Sequence, residues 1–481
     1  MKGFLLCIGC CALLGLNARQ RPNILLIVSE DNGPELGCYG APVPTPHLDQ
    51  LAKRGVVFEN AYVTQAGCSP SRASFLTGLY PHQNGQIGLA TWKYELFNPK
   101  TPNIPKSLQE AGYETGIIGK LHINPKAAFP FDFKVLSDAN FKRNNLESYT
   151  EAAKKFINQS SQPFFLQVNY PDAHAPFLKQ VDGVPAQPLL PQDTEALPYM
   201  GIQNEQLKTL TANYYNSIMR LDKYVGDLIE VLNKSGKGDN TVVIYMGDHG
   251  ADMLRGKRTC YEGGVRIPLI VYAQGTAPKR VKDLVSTIDV YPSVLEWAGL
   301  KVPAYLPGKS FVALLDGESY IPRRYLFTEF HTHSNNEPYP QRSVRDERYK
   351  LIYNPLAGLE NPGFAYTLNH TVKLSEAVLF KNLAPAARQA YQLMKNPPEY
   401  ELYDLWQDPY EWSNIADQSK YEPVLKRLQA ALKNWQQQTN DALADKSVAR
   451  KLFEMIRTEG LEKRERSLLP YKPFMDPHFN F

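Results

Sequence analysis

In "NILLIVSEDNG" (residues 23–33), a run of β-branched and aliphatic residues stops at Ser29-Glu30-Asp31. Such a run reads as a strand buried on both faces of a parallel sheet, with two acids at its carboxyl end. "TPHLDQLAKRGVVFENAY" follows as a helix with Thr45 at its N-cap, leading into a second strand. "IPKSLQEAGYETGIIGK" repeats the scheme: a helix, Gly112 as its stop, then the strand "ETGIIGK". "PFFLQVNY" (163–170) is another strand, and "NTVVIYMGDHG" (240–250) runs into a second acidic tip. Between them, residues 204–234 place Leu207, Leu210, Tyr214, Ile218, Leu221, Tyr224, Leu228 and Leu232 on one helical face.

Strands alternating with helices predict an α/β fold, a large, mostly parallel mixed sheet flanked by helices. Ligands of such sheets bind beyond the carboxyl ends of the strands. Three of these ends carry polar clusters, Glu30-Asp31, Lys120-Leu121-His122 and Asp248-His249. After about residue 310 the pattern changes. "SVRDERYKLIYN" (343–354) and "YELYDLWQDPYEWSNIAD" (400–417) read as short strands and turns, followed by a helix at 420–438, which predicts a smaller C-terminal antiparallel-sheet subdomain.

The chain has 481 residues, enough for two to three domain-sized units or one large domain with an appendage. With 53 basic and 49 acidic residues it has no basic excess of the kind nucleic-acid binding needs. The first 18 residues read as an export signal: Lys2, then the apolar core "GFLLCIGCCALLGL", then Leu16-Asn17-Ala18 as a cleavage site. Cys10 after Ile8-Gly9 gives a bacterial lipoprotein anchor as the alternative, with Cys7 where Leu is usual. No later segment is apolar enough to span a membrane. The expected boundaries are a signal peptide at 1–18, a catalytic domain at 19–315, a subdomain at 316–440 and a tail at 441–481. The mature chain keeps only Cys38, Cys68 and Cys260, which is no disulfide framework; a Cys38–Cys260 bridge is left open. A bacterial periplasm is the expected location, and nothing in the sequence signals oligomeric state.

Glu30, Asp31 and Asp248 gathered at strand ends need a cation to neutralise them, and oxygen ligands with an imidazole suit Ca²⁺ or Mg²⁺. Lys120 and His122 alternate along an extended segment and point to one side. With His174 in "YPDAHAPF" and Lys257, they suggest an anion such as sulfate or phosphate beside groups able to move protons. His47, His82, His370 and His478 read as structural or surface residues. Cys68, in "VTQAGCSPSRASFLTG" (63–78), sits in too polar a setting to be filling a core.

Cys68-Ser69-Pro70-Ser71-Arg72, continued by Leu76-Thr77-Gly78, resembles the signature of the formylglycine-dependent sulfatases, of the alkaline-phosphatase-like superfamily. The remaining motifs follow in that family's order over roughly residues 22–435, with "NILLIVSEDNG", "GIIGKLHI", "MGDHG" and "GKRTCYEGGVRIP" as its metal and lysine segments. Within the family the likeness is greatest to the heparan N-sulfatases, through "AGYETGIIGKLHI", "PFDF" (130–133), "YPQRSVRDERYKLIYN" and "YELYDLWQDPYEWSNIA". Glu30 stands where the family usually has Asp, and His249 where the N-sulfatases have Asn.

The resemblance implies that a sulfatase-maturing enzyme oxidises Cys68 to formylglycine, whose hydrate attacks sulfur. Glu30, Asp31, Asp248 and His249 would hold one divalent ion, expected to be Ca²⁺. Arg72 and Lys120 would hold the nucleophile and sulfate oxygens, His174 or Lys257 would protonate the leaving group, and His122 would take the proton that releases sulfate. "EFHTHSNNEPYPQR" (329–342) would face the sugar through Glu329, His331, His333 and Arg342. The expected substrate is a sulfated glycosaminoglycan oligosaccharide, cleaved at the N-sulfate of a non-reducing-end glucosamine. The alternatives are a glycan O-sulfatase, a phosphatase or phosphodiesterase of the same superfold, and a non-catalytic glycan-binding relative.

Overall fold

The computed structural model describes residues 21–137, 139–381, 383–463 and 471–475; the expected signal at 1–18 and His478 lie outside them. Twelve strands are found among the described residues: β1 (Asn23–Ser29), β2 (Val56–Tyr62), β3 (Glu114–Gly119), β4 (Phe133–Val135), β5 (Phe164–Tyr170), β6 (Thr241–Gly247), β7 (Arg266–Tyr272), β8 (Lys279–Ser286), β9 (Leu326–Phe330), β10 (Gln341–Arg345), β11 (Tyr349–Tyr353) and β12 (Tyr400–Asp404). The first eight form one sheet in the order β4-β3-β5-β1-β6-β7-β2-β8. All run parallel except β7, which is antiparallel to both neighbours. The apolar runs are explained by their position. β1 lies mid-sheet between β5 and β6, and its alternating side chains enter two separate cores, Leu25 and Ile27 on one face, Ile24, Leu26 and Val28 on the other.

The first core is closed by helices Pro46–Arg54, Glu147–Gln159 and Glu205–Lys234, the second by Cys68–Thr77, Ile104–Glu110 and Val290–Trp297. The 30-residue helix starts where its cap dictates, with the Asn204 side chain accepting from the Leu207 amide. Seven of its eight expected apolar positions are buried, and Leu210 is half-buried. Fully burying each aliphatic side chain contributes about 1.5–3 kcal/mol. Thr45 does occupy the N-cap of Pro46–Arg54, but its hydroxyl accepts from the Gly37 amide instead of capping that helix.

Strands β9–β12 form a second, fully antiparallel sheet in the order β12-β11-β10-β9. Helix Glu422–Gln438 covers it, with Leu428, Leu432 and Trp435 packing on Val344, Leu351 and Leu402. Residues beyond 440 add a further helix, Lys446–Lys463, whose Ala449, Leu452 and Ile456 pack with Ile87, Tyr94 and Tyr339. All three cysteines of the described chain are free thiols. No helix among the described residues is long and apolar enough to cross a membrane.

Ion clusters tie the two sheets together. Glu262, after the Lys257 segment, meets Lys350 Nζ of β11 at 3.1 Å and Arg345 Nη1 of β10 at 3.3 Å. Burial alone would raise this carboxyl, but Lys350 and Arg345 outweigh it and hold it at about 2. A carboxyl depressed in the folded state stabilises above its unfolded value of about 4.5 and loses that contribution as pH falls toward 2. Urea unfolding between pH 5 and 2.5 should therefore show a steep acid loss that Glu262→Gln flattens, with the variant about 2–3 kcal/mol less stable at pH 7.

Candidate active site

Parallel register puts the two acidic strand ends side by side. Ser29 of β1 pairs with Gly247 of β6, so Glu30-Asp31 and Asp248-His249 emerge together. The Asp248 amide donates to the Ser29 carbonyl at 2.9 Å, and the Asp31 amide donates to Asp248 Oδ1 at 2.9 Å. β3 delivers Lys120, whose Nζ lies 3.0 Å from Glu30 Oε2. Gly119 makes this possible: its φ is +87°, and a Cβ there would sit 2.3 Å from the Asn169 carbonyl oxygen. The strand ends at Gly119 and His122 has φ 57°, so Lys120 and His122 are not consecutive same-side positions of an extended segment. A turn brings both to the site instead.

Cys68 is the first residue of helix Cys68–Thr77 and is 1% exposed. Its Sγ lies 3.3 Å from His249 Nε2. Burial would raise the thiol, but Lys257, Lys120 and His249 outweigh it and hold it well below its ordinary value. One helical turn on, Arg72 Nε donates to Asp248 Oδ2 at 3.2 Å and Nη1 to the Lys120 carbonyl and Asn169 Oδ1; Nη2 is 3.5 Å from Glu30 Oε1. Ser71 Oγ donates to the Asp248 carbonyl. Lys257 Nζ lies 3.0 and 3.1 Å from the Asp31 oxygens and 3.5 Å from His174 Nε2. Ten expected residues, Glu30, Asp31, Cys68, Arg72, Lys120, His122, His174, Asp248, His249 and Lys257, thus meet at one sheet edge.

The donor set fits a hard divalent cation. Asp31, Cys68 and His249 each offer an atom within 4.8 Å of the others, as do Glu30, Cys68 and His174. Asp248 Oδ1 is 3.6 Å from His249 Nε2. His249 Nδ1 is bonded to the Gly250 carbonyl at 2.9 Å, which turns Nε2 toward the carboxylates, as metal-ligating imidazoles require. Burial would lower His249, but Asp248 and Asp31 hold it at about 9. Each carboxylate also faces a fixed cation, Glu30 Lys120 and Arg72, Asp31 Lys257, and Asp248 Arg72.

The three remaining basic groups are driven apart. Burial and then the Lys120 ammonium depress His122 to about 4, with Cys68 beside it opposing the shift. Burial opposes charge on His174, but Asp31 outweighs it and raises the imidazole. Lys257 is held well above its ordinary value by Asp31 despite burial.

The four residues expected to face a sugar divide. His333 is 7% exposed, has no partner at Nδ1, and lies beside Gly67, the residue before Cys68. Glu329, His331 and Arg342 are bonded to protein groups. Glu329 accepts from the His82 amide and Nδ1 at 2.9 and 2.6 Å. Arg342 makes a two-bond pair with Asp441 at 2.7 Å, and its Nη2 donates to His331 Nε2 at 3.1 Å. These side chains are engaged with one another in the interior, because a buried carboxylate and guanidinium must find partners. Sequence reasoning missed others. Asn169 anchors Arg72, a role hinted at by a polar residue inside the apolar strand "FFLQVNY". Asp172 holds Arg143 and Arg220, and Asp252 holds Arg258 beside Lys257. Nothing in their local sequence distinguishes them from surface charges.

The sulfatase family model matches residues 22–300, and the model for the C-terminal part of N-sulphoglucosamine sulphohydrolase matches residues 247–356. Human N-sulphoglucosamine sulphohydrolase is 32% identical over 90% of this chain and 94% of its own length. An ulvan-active sulfatase of Formosa agariphila is 29% identical over 89% of this chain and 82% of its own. A solved structure in complex with its substrate D-glucosamine-2-N,6-O-disulfate superposes with a TM-score of 0.66, covering 88% of this chain and 98% of the other at 20% identity, which establishes a shared fold. By family model, by whole-length identity and by fold, this chain belongs to the sulfatase family, hydrolases of sulfate esters or sulfamates.

Proposed function

We propose that this sulfatase removes the N-sulfate of a non-reducing-end glucosamine in heparin or heparan fragments, after Cys68 has been oxidised to formylglycine by a maturing enzyme. The observation that carries the substrate is the match of residues 247–356 to an N-sulphoglucosamine sulphohydrolase segment, together with 32% identity to the human enzyme. That segment includes Lys257 and His333. Export to a bacterial periplasm, and a catalytic unit at 19–315 followed by a subdomain at 316–440, belong to the same reading.

Formylglycine at position 68 would supply the nucleophile as its hydrate. A Ca²⁺ ion held by Asp31, Asp248, His249 and Glu30 would supply Lewis-acid polarisation of a sulfate oxygen. The chain's own groups divide the remaining work. Arg72 and Lys120 present fixed positive charge beside position 68, as a sulfate needs. His174, raised and half-exposed next to Lys257, is the proton donor to the leaving amine. His122, neutral at working pH and next to position 68, takes the proton whose removal lets sulfate depart.

Mass spectrometry of the Gly55–Arg72 tryptic peptide, from protein made with a maturing enzyme, should show formylglycine at 68; thiol throughout would sink the nucleophile. Offered N-sulfated and 6-O-sulfated glucosamine side by side, the enzyme should release sulfate from the first, and Cys68→Ala should lower the rate at least about 10³-fold. Release from the 6-O-sulfate alone would make it an O-sulfatase. Calcium titration gives a third test. His249 must shed a proton to ligate, so calcium affinity should rise with pH toward about 9, with a proton released on binding. EDTA should abolish activity and calcium restore it; affinity that is flat from pH 6 to 9 would exclude His249 as a ligand.

A further inference from the structure

A second cavity, about 320 Å³, lies apart from the catalytic cluster, and none of that cluster's residues lines it. Its walls include Glu35, Tyr39, Tyr199, Tyr215, Arg255 and Tyr261, and exposed Pro42 and Tyr410 stand at its rim. Arg255 is the unusual member. It is one of five arginines buried to within 2%. Arg72, Arg143, Arg220 and Arg342 each face a carboxylate, from Asp248, Asp172, Asp172 and Asp441. Arg255 forms no ion pair with any described carboxylate. Its guanidinium lies over the Tyr261 ring at 3.9 Å and the Trp412 ring at 4.8 Å. Nη2 donates to the Glu411 and Tyr410 carbonyls, while Nε and Nη1 have no partner. Of the three carboxylates in the lining, Glu262 is engaged by Lys350 and Arg345, Glu411 by Lys350 and the Glu262 amide, and Glu35 accepts from the Tyr214 hydroxyl, with burial raising it to about 7. The Tyr199 hydroxyl, also buried in the lining, has no partner either.

A buried cation without a counter-ion, and two kinds of unsatisfied donor beside one cavity, are costly unless a ligand completes them. Tyrosine faces around them suit the C–H face of a sugar ring, and the volume is at the small end of ligand cavities, enough for one ring and its substituents. We infer that this cavity is a second binding site, for a single sugar residue bearing an oxyanion, carboxylate or sulfate. Arg255 receives the oxyanion, Tyr199 donates to a ring substituent, and the tyrosines cover the ring. Such residues occur along any acidic glycan, so the site would hold a polymer at a distance from the bond being cut.

Calorimetric titration of the full chain with D-glucuronate, glucose 6-sulfate, glucose and inorganic sulfate tests this. Both anionic sugars should bind, with glucose and inorganic sulfate at least about tenfold weaker. Arg255→Gln and Tyr199→Phe should each weaken D-glucuronate about tenfold. Cys68→Ala and His333→Ala should leave it bound, which separates this site from the catalytic one. Tyr199→Phe removes one oxygen and should leave kcat and KM on a small aryl sulfate unchanged, so it serves if Arg255→Gln fails to fold. Equal binding of inorganic sulfate, binding lost in Cys68→Ala but kept in Arg255→Gln, or no binding of either anionic sugar would overturn the inference. D-glucuronate carries no sulfate, so the outcome does not depend on which sulfate the enzyme cleaves.

Discussion

Asp248 is the residue through which the site is assembled. It is fully buried, and four of its polar atoms bond to three other segments. Its amide holds the end of β1 at Ser29, and its Oδ1 takes the Asp31 amide in the turn that follows. Its Oδ2 takes Arg72, and its carbonyl takes Ser71, both from the helix that begins at Cys68. Burial pushes this carboxyl up, and His249 and Arg72 pull it back. A neutral Asp248 would lose the Arg72 pair and leave that guanidinium uncompensated. The charge on one side chain therefore fixes both the distance between the acidic strand ends and the position of Cys68.

That constraint explains what was legible in the sequence. Apolar runs ending in charged residues are what a central parallel strand with a charged carboxyl end must look like, so β1, β3, β5 and β6 could be read directly, as could the 30-residue helix from its one-sided apolar face. The antiparallel course of β7 could not, because "RIPLIVY" is buried on both faces whichever way it runs. Cys68 and Arg72 stood out because they share one short motif. Asn169, Asp172 and Asp252 did not, since each acts through partners 6 to 97 positions away. Of the four residues expected to face a sugar, Glu329, His331 and Arg342 are bonded to protein partners, and a polar loop between strands looks alike whether its charges face a ligand or each other.

The two histidines of the site differ in environment and not in residue type. His122 and His174 are both histidines at one sheet edge, yet one is held neutral and the other raised. The difference lies in their first charged neighbours, an ammonium for His122 and a carboxylate for His174. Two like groups pushed in opposite directions are the usual basis for separate acid and base roles at one pH.

The small sheet enters the chemistry indirectly. The Glu329 amide donates to the Thr64 carbonyl at 2.7 Å, Gln65 Nε2 donates to the Thr332 carbonyl, and the Leu89 amide donates to the His333 carbonyl. Segment 329–333 is therefore bonded on both sides of Cys68 along the chain, at 64–65 and at 89. The interior network of His82, Glu329, Arg342 and Asp441 extends the same clamp to residue 441, beyond the expected end of the subdomain. Glu329 and Arg342 are bonded to His82 and Asp441, within the part of the chain that segment 329–333 ties to residues 64–65 and 89. The two sheets are bonded to each other here, so a chain cut near 315 would expose the Thr64 and Gln65 bonding groups that segment 329–333 covers.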